Sequence, residues 1–158
     1  MKGPQPSVER RLQDLGIQLP AAPTPFGNYV EAAQTGNLLF LSGMLPVVNH
    51  KAKYLGRLGK ELDVESGRDA AHTAALSALA AAKEYLGSLD KVARVVRFSL
   101  FMATYGDFFD QPRVGDAVSD LFRDVFGAEK IPVRLLIGVA GLPLGMPVEL
   151  EVIFQVAE

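Results

Sequence analysis

Between Asp63 and Leu86 the apolar residues fall at helical spacing, and most of them are alanine. Ala71, Ala74, Ala75, Ala78, Leu79, Ala82 and Leu86 form one stripe. Asp63 or Ser66 can cap its start, and Gly87 stops it. A stripe of methyl groups lets a helix come close to its neighbour, so this helix is expected to lie tightly on a sheet. His72, Thr73, Ser77, Lys83 and Glu84 interrupt the apolar run. No run of about 18 apolar residues exists anywhere in the chain, which argues against a membrane-spanning helix.

The rest of the pattern supplies the sheet. Ser7 to Pro20 can form a short helix with Val8, Leu12, Leu15 and Leu19 on one side, Ser7 as its N-cap, and Arg10 and Arg11 facing water. Pro20, Pro23 and Pro25 then forbid regular structure until Gly27. Asn28–Ala33 and Leu38–Leu41 read as a hairpin around Gln34-Thr35-Gly36-Asn37. Residues 47–62 suit an irregular third strand with loops. Val92 to Met102 is a strand expected to turn Val92, Val96, Phe98, Leu100 and Met102 to one side. A second helix runs from about Gln111 to Phe126, with Pro112 in its first turn and Gly127 at its end. Val133–Ala140 and Pro147–Val156 close the chain as two strands that can pair as a hairpin.

The resulting order, β-β-(β)-α-β-α-β-β, suits an α+β layer with a mixed sheet and both helices on one face. In the last strand Val148, Leu150, Val152, Phe154 and Val156 alternate with Glu149, Glu151, Ile153 and Gln155. If the first set lies under the helices, the second lies on an open face that also carries apolar residues. Self-association is the economical way to cover it, and a mean hydropathy of +0.18 points the same way.

At 158 residues the chain suits a single domain, and 49% apolar residues are too many for a solvated coil. A net charge of −2 gives no footprint for nucleic acid. With no cysteine, disulfides, thiolate catalysis and cysteine-ligated metal are excluded. The first residues lack the apolar core of a signal peptide, so a cytoplasmic protein is expected. His50 and His72 form no metal-binding or triad pair, and no phosphate-binding glycine loop is present. Neither a metal nor a cofactor is expected.

Three residues invite a functional reading. Arg134, early in one closing strand, offers a permanently charged fork of donors suited to a carboxylate. Glu149, early in the next, can orient or deprotonate a water. The structural alternative is an ion pair within the sheet, or charges that simply solvate the strand ends. Tyr29 is either a hydroxyl handle for a ligand or a half-buried aromatic on an edge strand.

Gly27-Asn28-Tyr29-Val30, the run Gly36 to Gly43, and Pro132-Val133-Arg134 through Leu142-Pro143 to Val148-Glu149-Leu150-Glu151 occur together in this order. With these segments the chain resembles the Rid (YjgF) family of reactive-intermediate deaminases, also labelled endoribonuclease L-PSP, over about Pro23 to Val156. The resemblance leaves residues 1–22 as an N-terminal extension and 23–158 as the single family-like domain. It implies a chorismate-mutase-like α+β protomer and a homotrimer with a central sheet barrel, outer helices and ligand clefts between subunits. It further implies hydrolysis of small imine or enamine acids, such as 2-aminoacrylate, to a 2-keto acid and ammonia. Arg134 then clamps the carboxylate, Glu149 positions the water, and Tyr29, Ser42, Gly43 and Leu136 belong to the cleft. Leu136 stands where many deaminating members carry cysteine, and Gly115 aligns with their asparagine in the second helix. Both changes remove polar groups from the implied cleft and leave carboxylate binding intact. A non-catalytic binder of small carboxylates is the alternative. Ribonuclease activity has less support, since Lys51, Lys53 and Arg57 are the sole basic group and no histidine pair exists.

Overall fold

A computed structural model describes residues 3–158. The elements are α1 (Val8–Asp14), β1 (Ala32–Thr35), β2 (Leu38–Leu41), β3 (Val47–Val48), β4 (Lys51–Ala52), α2 (Val64–Leu86), β5 (Val92–Ala103), α3 (Gln111–Phe126), β6 (Val133–Val139) and β7 (Val148–Val156). Short 3₁₀ turns occupy Leu89–Lys91, Ala128–Lys130 and Pro143–Gly145.

Local chemistry sets the helix limits. The Ser66 amide donates to the Asp63 side chain at 2.8 Å, so Asp63 is the N-cap of α2. Gly87 ends the helix at φ 85°, in the left-handed region that a Cβ disfavours. The alanine stripe is fully buried from Ala70 to Ala82, and α2 lies against β7, β2 and α3. The helix after it spans Gln111–Phe126 as expected, with Pro112 in its opening turn. The first helix is capped by Ser7 but stops at Asp14. Its Leu12 is buried, and Glu9 bonds to Lys83 at 2.9 Å and to the Leu89 amide at 3.0 Å, which fastens α1 to the end of α2.

Five strands form one mixed sheet in the order β1-β2-β7-β5-β6. The expected closing hairpin does not form. Here β7 pairs antiparallel with β5 and β2, while β6 pairs parallel with β5 on its other side. The β5–α3–β6 crossover takes the edge position, so the chain returns through the middle of the sheet to make β7. The first hairpin forms with a shorter turn than expected: β1 runs to Thr35, and Gly36 at φ 56° opens a two-residue loop. Residues 28–31 lie outside the strand. In 47–62 the irregular strand resolves into a miniature hairpin, β3–β4, turned by Asn49 and His50, both at positive φ.

Along β7, Val148, Leu150, Val152 and Phe154 are fully buried beneath the helices. In β5, Phe98, Leu100 and Met102 share that side as expected, but Val95 replaces Val96 in the core. Two register shifts, between Val92 and Arg94 and between Val95 and Arg97, reset the alternation. The opposite face carries Phe40, Phe101, Ile137 and Ile153 alongside the outer strand's Val133 and Leu135, which are 66% and 43% exposed. Among the described residues no helix is long and apolar enough to cross a membrane.

Candidate functional site

The register of β5 decides where Arg134 and Glu149 can point. Arg134 lies opposite Phe98, and Glu149 lies opposite Phe101. Phe98 faces the helices and Phe101 the open side, so the two charged residues sit on opposite faces of the sheet with β5 between them. They do not form the sheet ion pair that the sequence allowed, nor are they neighbours within the chain's fold.

Glu149 joins Tyr29, Ser42 and Gly43 around a cavity of about 460 Å³, whose wall Phe26, Leu45, Pro143 and Leu144 complete. Three local devices build it. The Ser42 hydroxyl donates to the Val30 carbonyl at 2.6 Å, and the Ser42 amide to the Glu31 carbonyl at 2.9 Å, tying the irregular segment before β1 to the end of β2. The Phe26 amide donates to the Tyr29 phenol oxygen at 2.9 Å, and the Phe26 ring stacks on His50 at 4.2 Å. Met44 and Leu150 exchange backbone hydrogen bonds, which draws Gly43 alongside Glu149. A Cβ at Gly43 would collide with the Glu149 carboxylate, with Cδ only 2.8 Å away. Glycine at 43 is therefore what lets this carboxylate lie over the backbone. Half-buried and without a hydrogen-bonding partner among the described residues, Glu149 has its pKa raised by desolvation. Leu144, in the turn before β7, holds a left-handed conformation at φ 59° on the cavity wall.

Arg134 and Leu136 belong to a second locus, on the helix side of the edge strand β6. The Arg134 Nη1 donates to Asp116 Oδ1 at 2.8 Å and to Ser119 Oγ at 3.1 Å, both on α3. No partner for Nε or Nη2 occurs among the described residues. A Cβ at Gly115 would lie 2.7 Å from Leu136 Cδ2 and 3.3 Å from Arg134 Nη1. Leu136 and Gly115 are thus complementary in volume, a branched side chain on the strand fitted over a bare position on the helix. The polar residues that meet Arg134 are Asp116, one residue beyond the aligned position, and Ser119. The sequence reading missed both, together with the cavity wall residues Phe26, Leu45, Pro143 and Leu144. The i, i+3 spacing of Asp116 and Ser119 marks one helix face, the available signal.

The two histidines lie apart, His50 in the β3–β4 turn and His72 within α2. The expected basic group is partly neutralised, with Lys53 bonded to Asp69 at 2.7 Å and Arg57 near Glu61 at 3.7 Å.

A five-stranded mixed sheet with its helices on one face defines a chorismate-mutase-like α+β fold. The family described as "YjgF/chorismate_mutase-like, putative endoribonuclease" matches residues 9–157, and the chain belongs to it. Protein TCP17 of Trypanosoma cruzi is 39% identical over 149 residues, covering 94% of this chain and 93% of that protein. A 2-iminobutanoate/2-iminopropanoate deaminase of Dermatophagoides farinae is 32% identical over 136 residues, covering 85% and 91%. The crystal structure of a protein of unknown function from Agrobacterium tumefaciens superposes with a TM-score of 0.85 at 35% identity, covering 96% of this chain and 93% of that one.

Proposed function

We propose that the protein is a homotrimer that binds small imine or enamine acids in clefts between subunits and hydrolyses them to a 2-keto acid and ammonia. One observation carries this reading: two chemically complementary half-sites lie on opposite faces of a single protomer. One is an arginine on an edge strand with N–H groups to spare. The other is an apolar cavity holding a half-buried carboxylate without a partner. Each is incomplete alone, and a second copy set against the open sheet face supplies the missing half. The likeness to an imine deaminase and the apolar open face support the same arrangement.

In this cleft Arg134 of one subunit clamps the substrate carboxylate through its unused N–H groups. Tyr29, Ser42 and Gly43 of the neighbour shape the floor, with Leu136 along the wall. Glu149 orients a water toward the imine carbon. Water adds there, the proton passes to the nitrogen, and the C–N bond breaks to release ammonia. A carboxyl whose pKa burial has raised suits this exchange, because it is a stronger base when ionised and keeps a larger protonated fraction available as a proton donor.

The test is release of keto acid from an imine generated in solution, followed for the native protein and for Arg134→Ala and Arg134→Lys trimers. Loss of charge-assisted hydrogen bonds of about 1.5–3 kcal/mol predicts that Arg134→Ala weakens carboxylate binding by about one to two orders of magnitude. Lysine falls between, restoring charge without the fork. Undiminished carboxylate binding by an Arg134→Ala trimer refutes the assignment. A second reading, a carboxylate binder without turnover, draws on the Leu136–Gly115 contact, which leaves an apolar wall beside the arginine. It predicts ligand protection against heat with no keto acid released.

A further inference from the structure

We infer that Asp116 is a specificity-determining residue of the Arg134 locus, favouring acids with a positively charged nitrogen beside the carboxylate over plain 2-keto acids. The inference rests on the proposed role of Arg134 as the carboxylate clamp and adds to it a selection rule that the clamp alone lacks.

The geometry is particular to this helix and strand. The parallel register of β6 on β5 aims Arg134 at α3. One turn of α3 presents Asp116 and Ser119 together, and both accept from the same guanidinium nitrogen, at 2.8 and 3.1 Å. Gly115 leaves the lane open, since a Cβ there would lie 3.3 Å from that nitrogen. The arginine is therefore held by one corner, and Nε and Nη2 are left for a ligand. What the ligand meets is not an isolated positive charge but an arginine already paired with a carboxylate, Arg134 being 31% exposed and Asp116 52%.

A keto acid placed on the free edge feels Arg134 attract it and Asp116 repel it. An amino acid or an iminium acid carries its own positive nitrogen, on which Asp116 acts with the opposite sign, so the repulsion is offset. The reaction then changes the ligand's sign pattern. Water adds to the iminium carbon, the C–N bond breaks, and the positive charge leaves with ammonium. The remaining keto acid keeps the repelled carboxylate without the attracted nitrogen, so Asp116 favours entry of substrate and exit of product.

Pyruvate and L-alanine share a carbon skeleton and differ in this nitrogen, which makes them the probes. Both are titrated calorimetrically into the native protein, Asp116→Asn and Arg134→Ala, each checked for mass. Asparagine keeps an acceptor of the same size for Nη1 and removes only the charge. For two like charges several ångströms apart in a partly exposed site, Asp116→Asn should tighten pyruvate about 3- to 10-fold. Alanine affinity should stay level or fall, and the pyruvate gain should shrink in concentrated salt. An equal change for both acids, or none, overturns the inference. If Arg134→Ala loses pyruvate while Asp116→Asn changes nothing, the clamp stands and the selection rule falls. If Arg134→Ala binds pyruvate like the native protein, the clamp reading itself fails. Absence of binding to all three proteins removes both.

Discussion

Glu149 combines a place on the cavity wall with an energetic penalty. Its pKa is raised by burial, so in the folded protein the charged form is disfavoured relative to the unfolded chain. For a carboxyl shifted upward, the unfolded state holds fewer protons between the two pKa values, and stability falls as pH rises through that window. Glu149→Gln should therefore melt at a higher temperature than the native protein at pH 7, and the gap should close as the solution is acidified below the ordinary glutamate range near 4.5. Thermal melts at a series of pH values check this. A variant that is less stable at neutral pH would mean that the carboxylate makes stabilising interactions when the subunits assemble. Turnover should move the other way, falling by about 10²–10⁴-fold if the residue works as a general acid–base. Higher stability with lower activity is a signature that a purely structural glutamate would not give.

The contact between α3 and β6 makes a different kind of demand. Gly115 in a helix forgoes about 1 kcal/mol of helix propensity relative to alanine, and Leu136 occupies the space that an alanine methyl would need. Gly115→Ala should therefore stabilise a Leu136→Ala protein by about 1 kcal/mol, while in the native background crowding against Leu136 cancels the gain. Urea unfolding of the four proteins of this cycle measures the coupling, and equal effects in both backgrounds would show the two positions to be independent. Such a contact also explains what could be read in advance. The limits of α2 and α3 were legible because Asp63, Gly87, Pro112 and Gly127 act within a turn of their own positions. The pairing of β6 was not, because a crossover through α3 decides it, and nothing within the strand says whether β5 or β7 lies alongside. The core side of β5 departs from simple alternation at Val96 because two register shifts interrupt it. Among site residues, Tyr29, Ser42, Gly43 and Glu149 do converge on one cavity, whereas Arg134 and Leu136 stand elsewhere. Asp116 was out of reach, since its partner is fixed by how a helix docks on a strand 18 positions away.

An edge strand with Val133 and Leu135 exposed, beside a sheet face carrying Phe40 and Ile153, is a surface that a solitary protomer would present to water at a cost in solubility. Closing this surface by rotation gives a ring in which each copy offers a different patch to its neighbour. Leu135→Asp should break the ring: light scattering should report a trimer for the native protein and a monomer for the variant, with the helical circular dichroism retained and carboxylate binding lost. A trimeric Leu135→Asp protein, or a monomeric native one, would end the ring proposal. The opposed faces of Arg134 and Glu149 have a genetic consequence. If every cleft takes its arginine from one copy and its glutamate from the next, Arg134→Ala and Glu149→Gln are defects in different halves of a shared object. Two inactive proteins, unfolded and refolded together in equal amounts, should then complement one another, because about a quarter of the clefts in a randomly mixed ring receive both intact residues. Either protein refolded alone should show only its residual activity, far below that quarter at low substrate concentration. Activity reborn from two dead parents would be the direct mark of a site that no single chain owns.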